Sequence, residues 1–337
     1  MTMKNTEKYT RYALCREMME TVSLVRNLDT APMEAIAVTS DRVLLSGEGS
    51  SRIFPAKHLI ARALRSAGAP RIATEACLQA REYDLEGYHV FIGSNSGRTA
   101  EGVKLIRHLR ARGAGVTLTG VVAHDGTPIA LESDNRVVLQ CGAEEAVAAT
   151  KSVVEQALVY DEIFRDLLGE PGLDREKLAA VIEEALTVEI DPALVARVAA
   201  SPMIYFAGRN DGVAEELTLK TNEITRKRAD YLEGTYAVHG IEEVMNPEDT
   251  VVLIDPYPEE EDKFAQVLSE GVGLHVVAIA SRETRFPTIR IPQAGPEAVY
   301  AQLAAGWNLL VETGIALGVN PDKPQRARKV GNEFQGS

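Results

Sequence analysis

A short polar stretch after an apolar run carries the clearest chemical signal in the sequence. The apolar residues 89–92 lead directly into Gly-Ser-Asn-Ser-Gly-Arg-Thr at 93–99, a pattern that predicts a buried strand followed by a helix over 99–111. Hydroxyl groups can donate to a phosphate, glycines let the backbone come close, and a helix start offers unpaired N–H groups and a positive dipole end. These features favour a phosphate site; the alternative is a polar turn with a Ser or Thr helix cap. The predicted phosphate ligands here are Ser94, Asn95, Ser96, Gly97 and Thr99.

A second polar stretch lies at the end of the first predicted strand, where Gly49, Ser50 and Ser51 follow the apolar residues 43–45. In a doubly wound parallel sheet the first and third strands in chain order are neighbours, and ligands bind beyond their carboxyl ends. Ser50 and Ser51 therefore join the predicted phosphate site. Neither stretch matches GxGxxG or GxxxxGKS/T, so a dinucleotide or P-loop nucleotide is disfavoured and no cofactor is expected.

Apolar strand patterns alternate with amphipathic helical patterns, which predicts an α/β fold with doubly wound parallel sheets. The plan occurs twice, separated by a segment rich in Gly, Pro and charge at 168–177. We therefore predict a helical N-terminal segment (1–38), two domains (39–170 and 171–320) and a C-terminal tail (321–337). The predicted strands are 42–46, 71–74, 89–92, 116–122 and 136–139, then 203–207, 229–232, 250–254, 274–280 and 288–291. The predicted helices are 54–67, 99–111 and 147–168, then 211–228, 260–270 and 296–317.

Composition argues against several classes of protein. The formal net charge is −13 over 337 residues, so nucleic acid and anionic membranes are not expected partners. Three widely spaced cysteines without a CxxC pair favour a reducing cytoplasm. We see neither a signal peptide nor an apolar run long enough to span a membrane. The six histidines have no metal-binding spacing, so no metal site is expected.

The second half offers a candidate acid–base pair. Lys220 and Glu223 are three residues apart on a predicted helix, so their side chains share one face. An exposed salt bridge is the alternative. His239 follows Glu223 by sixteen residues, and a histidine can pass a proton near neutral pH.

Several of these stretches resemble the double-SIS-domain phosphosugar isomerase/deaminase family, which includes the isomerase half of glucosamine-6-phosphate synthase. Ser-Asn-Ser-Gly-Arg-Thr resembles the SxSGxT phosphate loop of SIS domains, and the stretch around Ser50 resembles their first-strand turn. Residues 143–156 are similar to the family's E-x-x-V-A-x-T-K segment, which implies substrate contacts at Val147 and Ala149. The resemblance covers most of 40–330 and implies two tandem flavodoxin-like SIS domains.

The resemblance also implies catalytic roles. Lys220 and Glu223 match a K-x-x-E motif whose Glu moves a proton between sugar carbons. His239 matches the ring-opening His of an E-x-x-H-G-P stretch, with Ile241 in place of the proline. Lys329, five residues past Pro324, takes the place of the tail lysine that contacts the open-chain carbonyl, although the tail match is looser.

These residue types suit ring opening and C1–C2 proton transfer on a hexose or hexosamine 6-phosphate, because a buried carboxylate can shuttle a proton alpha to a carbonyl. Isomerisation, deamination of an aminosugar phosphate and cleavage of a fructosamine 6-phosphate all remain open. A non-catalytic phosphosugar sensor is the alternative from another class. The synthase also has a glutaminase domain, which we do not expect here, and the family implies a homodimer.

Overall fold

The computed structural model describes residues 10–113, 115–326 and 332–334. The chain forms two compact units. Of the described residues, the first unit contains 24–113, 115–144, 149–175 and 332–334, and the second contains 10–23, 145–148 and 176–326. No helix in the described part of the chain combines the length and apolar character that a bilayer crossing requires.

A parallel five-stranded sheet forms the centre of the first unit. Its strands are β1 (Arg42–Gly47), β2 (Arg71–Ala76), β3 (His89–Ser94), β4 (Thr117–Val122) and β5 (Asn135–Val138), and they lie in the order β2-β1-β3-β4-β5. The longer helices of the N-terminal half are α1 (Ala13–Asn27), α2 (Ile53–Ala63), α3 (Ala100–Arg112) and α4 (Lys151–Leu168), with short helices at Ala31–Glu34, Cys77–Ala80 and Pro128–Glu132. Every residue of β3 is buried, as expected for a central strand of a parallel sheet.

The second unit repeats this topology. Its strands are β6 (Met203–Gly208), β7 (Arg228–Glu233), β8 (Thr250–Ile254), β9 (His275–Ala280) and β10 (Thr288–Arg290), in the order β10-β9-β8-β6-β7. Its helices are α5 (Arg175–Thr187), α6 (Pro192–Ala200), α7 (Val213–Thr225) and α8 (Ala298–Ala316), with a short helix at Glu261–Phe264 that continues as a π-helix over Ala265–Val272. Both sheets therefore have the flavodoxin-like 2-1-3-4-5 order.

Packing fixes the two elements that carry the candidate site. In the first unit the side chains of Val90, Ile92, Ile106 and Leu118 are fully buried in a cluster that joins β3 and β4 to α3. In the second unit α7 packs closely on α8, since a Cβ added at Gly306 would lie 2.4 Å from Leu217.

The predicted α/β class with two doubly wound parallel sheets is confirmed. Four elements differ from the prediction. The helices α5 and α6 were not predicted, and the helix predicted to reach 228 ends at Thr225 because Arg226 adopts a left-handed conformation with φ of 60°. The helix predicted over 260–270 becomes a π-helix in its second part.

Candidate active site

The loop between β3 and α3 closes on itself through side-chain hydrogen bonds. Ser94 Oγ lies 2.8 Å from Thr99 Oγ1, and the N–H of Gly97 donates to Ser94 Oγ over 3.1 Å. Thr99 occupies the N-cap position of α3, but its side chain does not cap the helix. The loop therefore does not follow the simple cap geometry that was the alternative to a phosphate site. Ser96 accepts from the N–H of Arg98 over 3.1 Å.

Gly97 is required by both its backbone angle and its neighbours. Its φ is 63°, in the left-handed region. A Cβ at this position would lie 2.1 Å from Thr127 Oγ1. Gly97 also accepts a hydrogen bond from the N–H of Ile129 over 3.1 Å. The segment around Thr127, where the helix Pro128–Glu132 begins, thus packs directly against the β3–α3 loop.

Glu144 ties the same loop to the start of α4. Its carboxylate accepts from Asn95 Nδ2 over 3.2 Å, from the N–H of Thr150 over 2.8 Å and from Ser152 Oγ over 2.6 Å. Because a carboxylate accepts several hydrogen bonds at once, one buried side chain orders two segments. The sequence analysis did not assign Glu144, although it is the first residue of the E-x-x-V-A-x-T-K match. Val147 and Ala149, within that match, are half-buried.

The turn after β1 lies against the end of β3. Gly47 and Gly93 are register partners on these adjacent strands. A Cβ at Gly93 would lie 2.7 Å from the carbonyl oxygen of Ser51, which leaves no room for a side chain. Ser50 and Ser51 are half-buried in the tight turn Gly49–Ser51. The structure thus brings the two predicted polar stretches together at the adjacent carboxyl ends of β1 and β3.

A short piece of the C-terminal tail pairs with the loop. The N–H of Ala100 donates to the carbonyl of Asn332 over 3.0 Å, and the N–H of Phe334 donates to the carbonyl of Arg98 over 2.8 Å. Thr99 and Glu333 form an antiparallel bridge. Lys329, the predicted tail lysine, lies outside the described residues.

The predicted pair in the second unit is part of a triad on α7. Lys220 Nζ lies 2.8 Å from Glu223 Oε2 and 3.1 Å from Glu216 Oε1. The side chains of Lys220 and Glu216 are fully buried, whereas that of Glu223 is 23% exposed. Burial alone would lower the pKa of Lys220, but the carboxylates of Glu216 and Glu223 outweigh it and the net direction is upward. Lys220 is therefore a charged anchor for Glu223, and the pair is not the exposed salt bridge considered as the alternative.

His239 lies in an exposed turn of the second unit. It follows the tight turn Tyr236–Val238, and its N–H donates to the carbonyl of Tyr236 over 3.1 Å. The next residue, Gly240, has φ of 104°, and its N–H donates to Glu242 Oε2 over 2.7 Å. The backbone on either side of His239 is held while its side chain is open to solvent.

The chain is similar to several known proteins in sequence and in fold. Residues 85–164 match the family model described as SIS domain. The chain is 27% identical over 316 residues to the isomerizing glutamine–fructose-6-phosphate aminotransferase of Aeropyrum pernix, an alignment that covers 86% of this chain and 50% of that protein. The C-terminal domain of glucosamine-fructose-6-phosphate aminotransferase from Francisella tularensis gives a TM-score of 0.77 at 18% identity, covering 95% of this chain and 100% of that one. Glucosamine-6-phosphate deaminase from Thermotoga maritima gives 0.74 at 19% identity, covering 94% and 98%.

The chain has two flavodoxin-like parallel α/β sheets, and residues 85–164 match the SIS domain model. Within this fold class the chain is similar to the isomerase half of glucosamine-fructose-6-phosphate aminotransferase, which confirms the resemblance drawn from the motifs. The chain spans about half the length of the curated relatives it matches.

Proposed function

We propose that this chain binds a hexose or hexosamine 6-phosphate and catalyses an isomerase- or deaminase-type reaction on it. The observation that carries the proposal is the closed loop of Ser94, Gly97 and Thr99, in which Thr99 leaves the N-terminus of α3 without a side-chain cap. A helix start with hydroxyl donors around it favours a phosphate. Similar proteins are named for fructose 6-phosphate amination and glucosamine 6-phosphate deamination.

In the proposed reaction His239 opens the sugar ring by taking the proton of the C1 hydroxyl and supplying one to the ring oxygen as the C1–O5 bond breaks. Glu223 then removes the C2 proton, and the electron pair forms a C1–C2 double bond while the carbonyl oxygen gains a proton. Glu223 returns its proton to C1, and the heteroatom on C2 loses one to give a ketose or an imine. Water hydrolyses such an imine and releases ammonia.

The remaining residues support these steps. Lys220, held charged between two carboxylates, fixes the position of Glu223. The resemblance assigns Lys329, which lies outside the described residues, to the carbonyl oxygen of the open-chain sugar. Among the described tail residues, Asn332 pairs with Ala100 at the start of α3. Phosphate binding supplies energy away from the reacting carbons and fixes their register.

Proton exchange tests the proposal. The protein is incubated with fructose 6-phosphate or glucosamine 6-phosphate in deuterated water, and deuterium at C1 and C2 is measured by NMR and mass spectrometry. We expect incorporation with the native protein and none with E223Q, which keeps the shape of the side chain but cannot accept the proton. E184Q, on an exposed position of α5, is the matched control and should exchange normally.

Each possible result distinguishes the proposed reaction from one alternative. Exchange that survives E223Q would place the base at another residue. Binding of both sugar phosphates without any exchange would favour the phosphosugar sensor. Product analysis over a panel of hexose and hexosamine 6-phosphates would then separate isomerisation, deamination and cleavage of a fructosamine 6-phosphate.

We also propose a homodimer in which His239 acts in the site of the neighbouring subunit. The exposed position of His239 supports this. Light scattering should give about twice the mass of one chain. Mixing the inactive variants H239A and E223Q should restore activity, because a mixed dimer contains one site with both residues intact. An active monomer, or a mixture that stays inactive while mixed dimers form, would contradict the proposal.

A further inference from the structure

Two buried polar side chains of α4 lie behind the turn that carries Ser51. Gln156 and Tyr160 are one helical turn apart, and each is 1% exposed. Gln156 Nε2 lies 3.4 Å from Ser51 Oγ. Within the described residues, Gln156 Oε1 and the hydroxyl of Tyr160 have no hydrogen-bond partner. Since unpaired polar atoms are costly to bury, an apolar side chain would serve simple packing better.

The absence of a side chain at Gly93 leaves room for the side chain of Gln156. A Cβ added at Gly93 would lie 2.9 Å from Gln156 Oε1, 2.7 Å from the carbonyl oxygen of Ser51 and 3.4 Å from the hydroxyl of Tyr160. These three oxygens therefore surround the bare backbone at the end of β3. The side chain of Gln156 is confined between that backbone and the turn of Ser51.

The contact with Gln156 determines which hydrogen bonds the hydroxyl of Ser51 can make. A serine hydroxyl has one donor and two acceptor positions, whereas the NH₂ of glutamine can only donate. When Gln156 donates to Ser51 Oγ, the single proton of Ser51 is directed to another acceptor. A phosphate bound at the turn could be that acceptor.

We propose that Gln156 is a positioning residue that sets Ser51 as a hydrogen-bond donor to the phosphate, with the hydroxyl of Tyr160 available to donate to Gln156 Oε1. The inference rests on the proposed function, since it names how one ligand of that phosphate site is oriented. Gln156 itself does not touch the substrate.

A double-mutant cycle tests the proposal by calorimetric titration with fructose 6-phosphate. Q156M keeps the length of the side chain but removes the donor, and S51A removes the hydroxyl. We expect each single variant to raise Kd about tenfold, and the double variant to bind no more weakly than S51A alone. Any change in the rate of deuterium exchange at saturating substrate should be the same in S51A and in the double variant, because Gln156 acts only through Ser51.

Q302M is the matched control, since Gln302 is another buried helix glutamine, 6% exposed, in α8 of the second unit. It should leave Kd unchanged. If Q156M does not fold, Q156N replaces it, because the shorter amide cannot reach Ser51. Unchanged Kd in the Gln156 variants, or effects that add to that of S51A, would overturn the inference alone. If the native protein bound no sugar phosphate, the proposed function would fall and the inference with it.

Discussion

Lys220 Nζ lies 3.1 Å from Glu216 Oε1 on α7, and neither side chain has any exposed surface. Two charges without solvent depend on each other: without Lys220, Glu216 would be a buried charge that has lost the ammonium beside it, and without Glu216, Lys220 would retain its pair with Glu223. The second carboxylate on the same face, Glu223, is the one that reaches solvent. Glu216 therefore holds Lys220 in the helix, and Lys220 in turn holds Glu223.

E216Q should destabilise the protein, because the ammonium of Lys220 would lose its buried partner. The expected loss in the free energy of unfolding is about 1.5–3 kcal/mol, the value of one interaction with a charged group, because Glu223 still pairs with Lys220; urea denaturation measures it. The exposed variant E184Q should change it by less than about 0.5 kcal/mol. The double variant E216M/K220M should recover much of the loss, because it removes both charges together. A stable E216Q would show that Lys220 does not depend on this pair.

Lys220 should not form an imine with the substrate. Its pKa is raised, so at neutral pH it is an ammonium ion without the lone pair that attacks a carbonyl. Borohydride added during turnover of fructose 6-phosphate should leave the peptide that contains Lys220 unmodified, as judged by mass spectrometry. A reduced sugar adduct on Lys220 would contradict this.

G97A should disrupt phosphate binding, and G113A should not. Both glycines have a left-handed φ, 63° at Gly97 and 62° at Gly113. A Cβ at Gly97 would meet Thr127 at 2.1 Å, whereas one at Gly113 has nothing within 4 Å. The backbone strain of about 1–2 kcal/mol is therefore common to both variants, and only G97A adds the steric conflict.

We expect G97A to raise the Michaelis constant for fructose 6-phosphate roughly tenfold or more, the equivalent of one lost hydrogen bond to a charged group. G113A should keep the native constant, and thermal denaturation of both variants separates folding from binding. Equal constants for the two variants would mean that the loop tolerates displacement.

The parallel strands could be predicted from the sequence because buried parallel strands leave a direct pattern of apolar runs. Their flavodoxin-like order was implied by the family resemblance. The residue at which β3 ends is harder to predict from the sequence. The apolar run stops at Ile92, but the strand continues through Gly93 and Ser94, because Gly47 and Val122 on the neighbouring strands pair with them. Those partners are distant in sequence, so a local pattern cannot reveal them.

The two missed helices differ in how much signal they left. Asp191 accepts from the N–H of Ala193 at the start of α6, and Pro192 follows it as the first helical residue. This Asp-Pro pair is a recognisable start for α6. The start of α5 leaves less signal, because it overlaps the charged and Gly-Pro-rich segment 168–177 that indicates a domain boundary. The domain boundaries predicted from that segment stay predictions.

The supporting residues of the site were out of reach of sequence reasoning. Glu144 contacts Asn95, 49 positions away, and Gln156 contacts Ser51, 105 positions away. Both lie in the segment 143–156 that resembles the family's E-x-x-V-A-x-T-K stretch, but that resemblance implies contacts only for Val147 and Ala149. Their roles depend on the fold bringing α4 beneath both polar turns, which side-chain patterns along the chain do not encode.

His89 predicts how the stability of the protein responds to acid. It begins β3, is 1% exposed, and its Nε2 lies 2.7 Å from Thr119 Oγ1. Burial lowers the pKa of His89 to about 4, although Asp134 opposes the shift. The unfolded chain binds a proton near pH 6.5, so the contribution of neutral His89 is present above pH 6.5 and is lost as the pH falls towards 4.

Between pH 7 and pH 5 this single group should lower the free energy of unfolding by about 2 kcal/mol. H89Q, which can keep a hydrogen bond to Thr119, should decline with pH less steeply than the native protein by that amount. H124Q, at an exposed position, should follow the native curve. Urea denaturation at the two pH values measures all three proteins. Parallel declines for H89Q and the native protein would mean that His89 already binds its proton in the folded state at pH 5, and that the start of β3 is open to water.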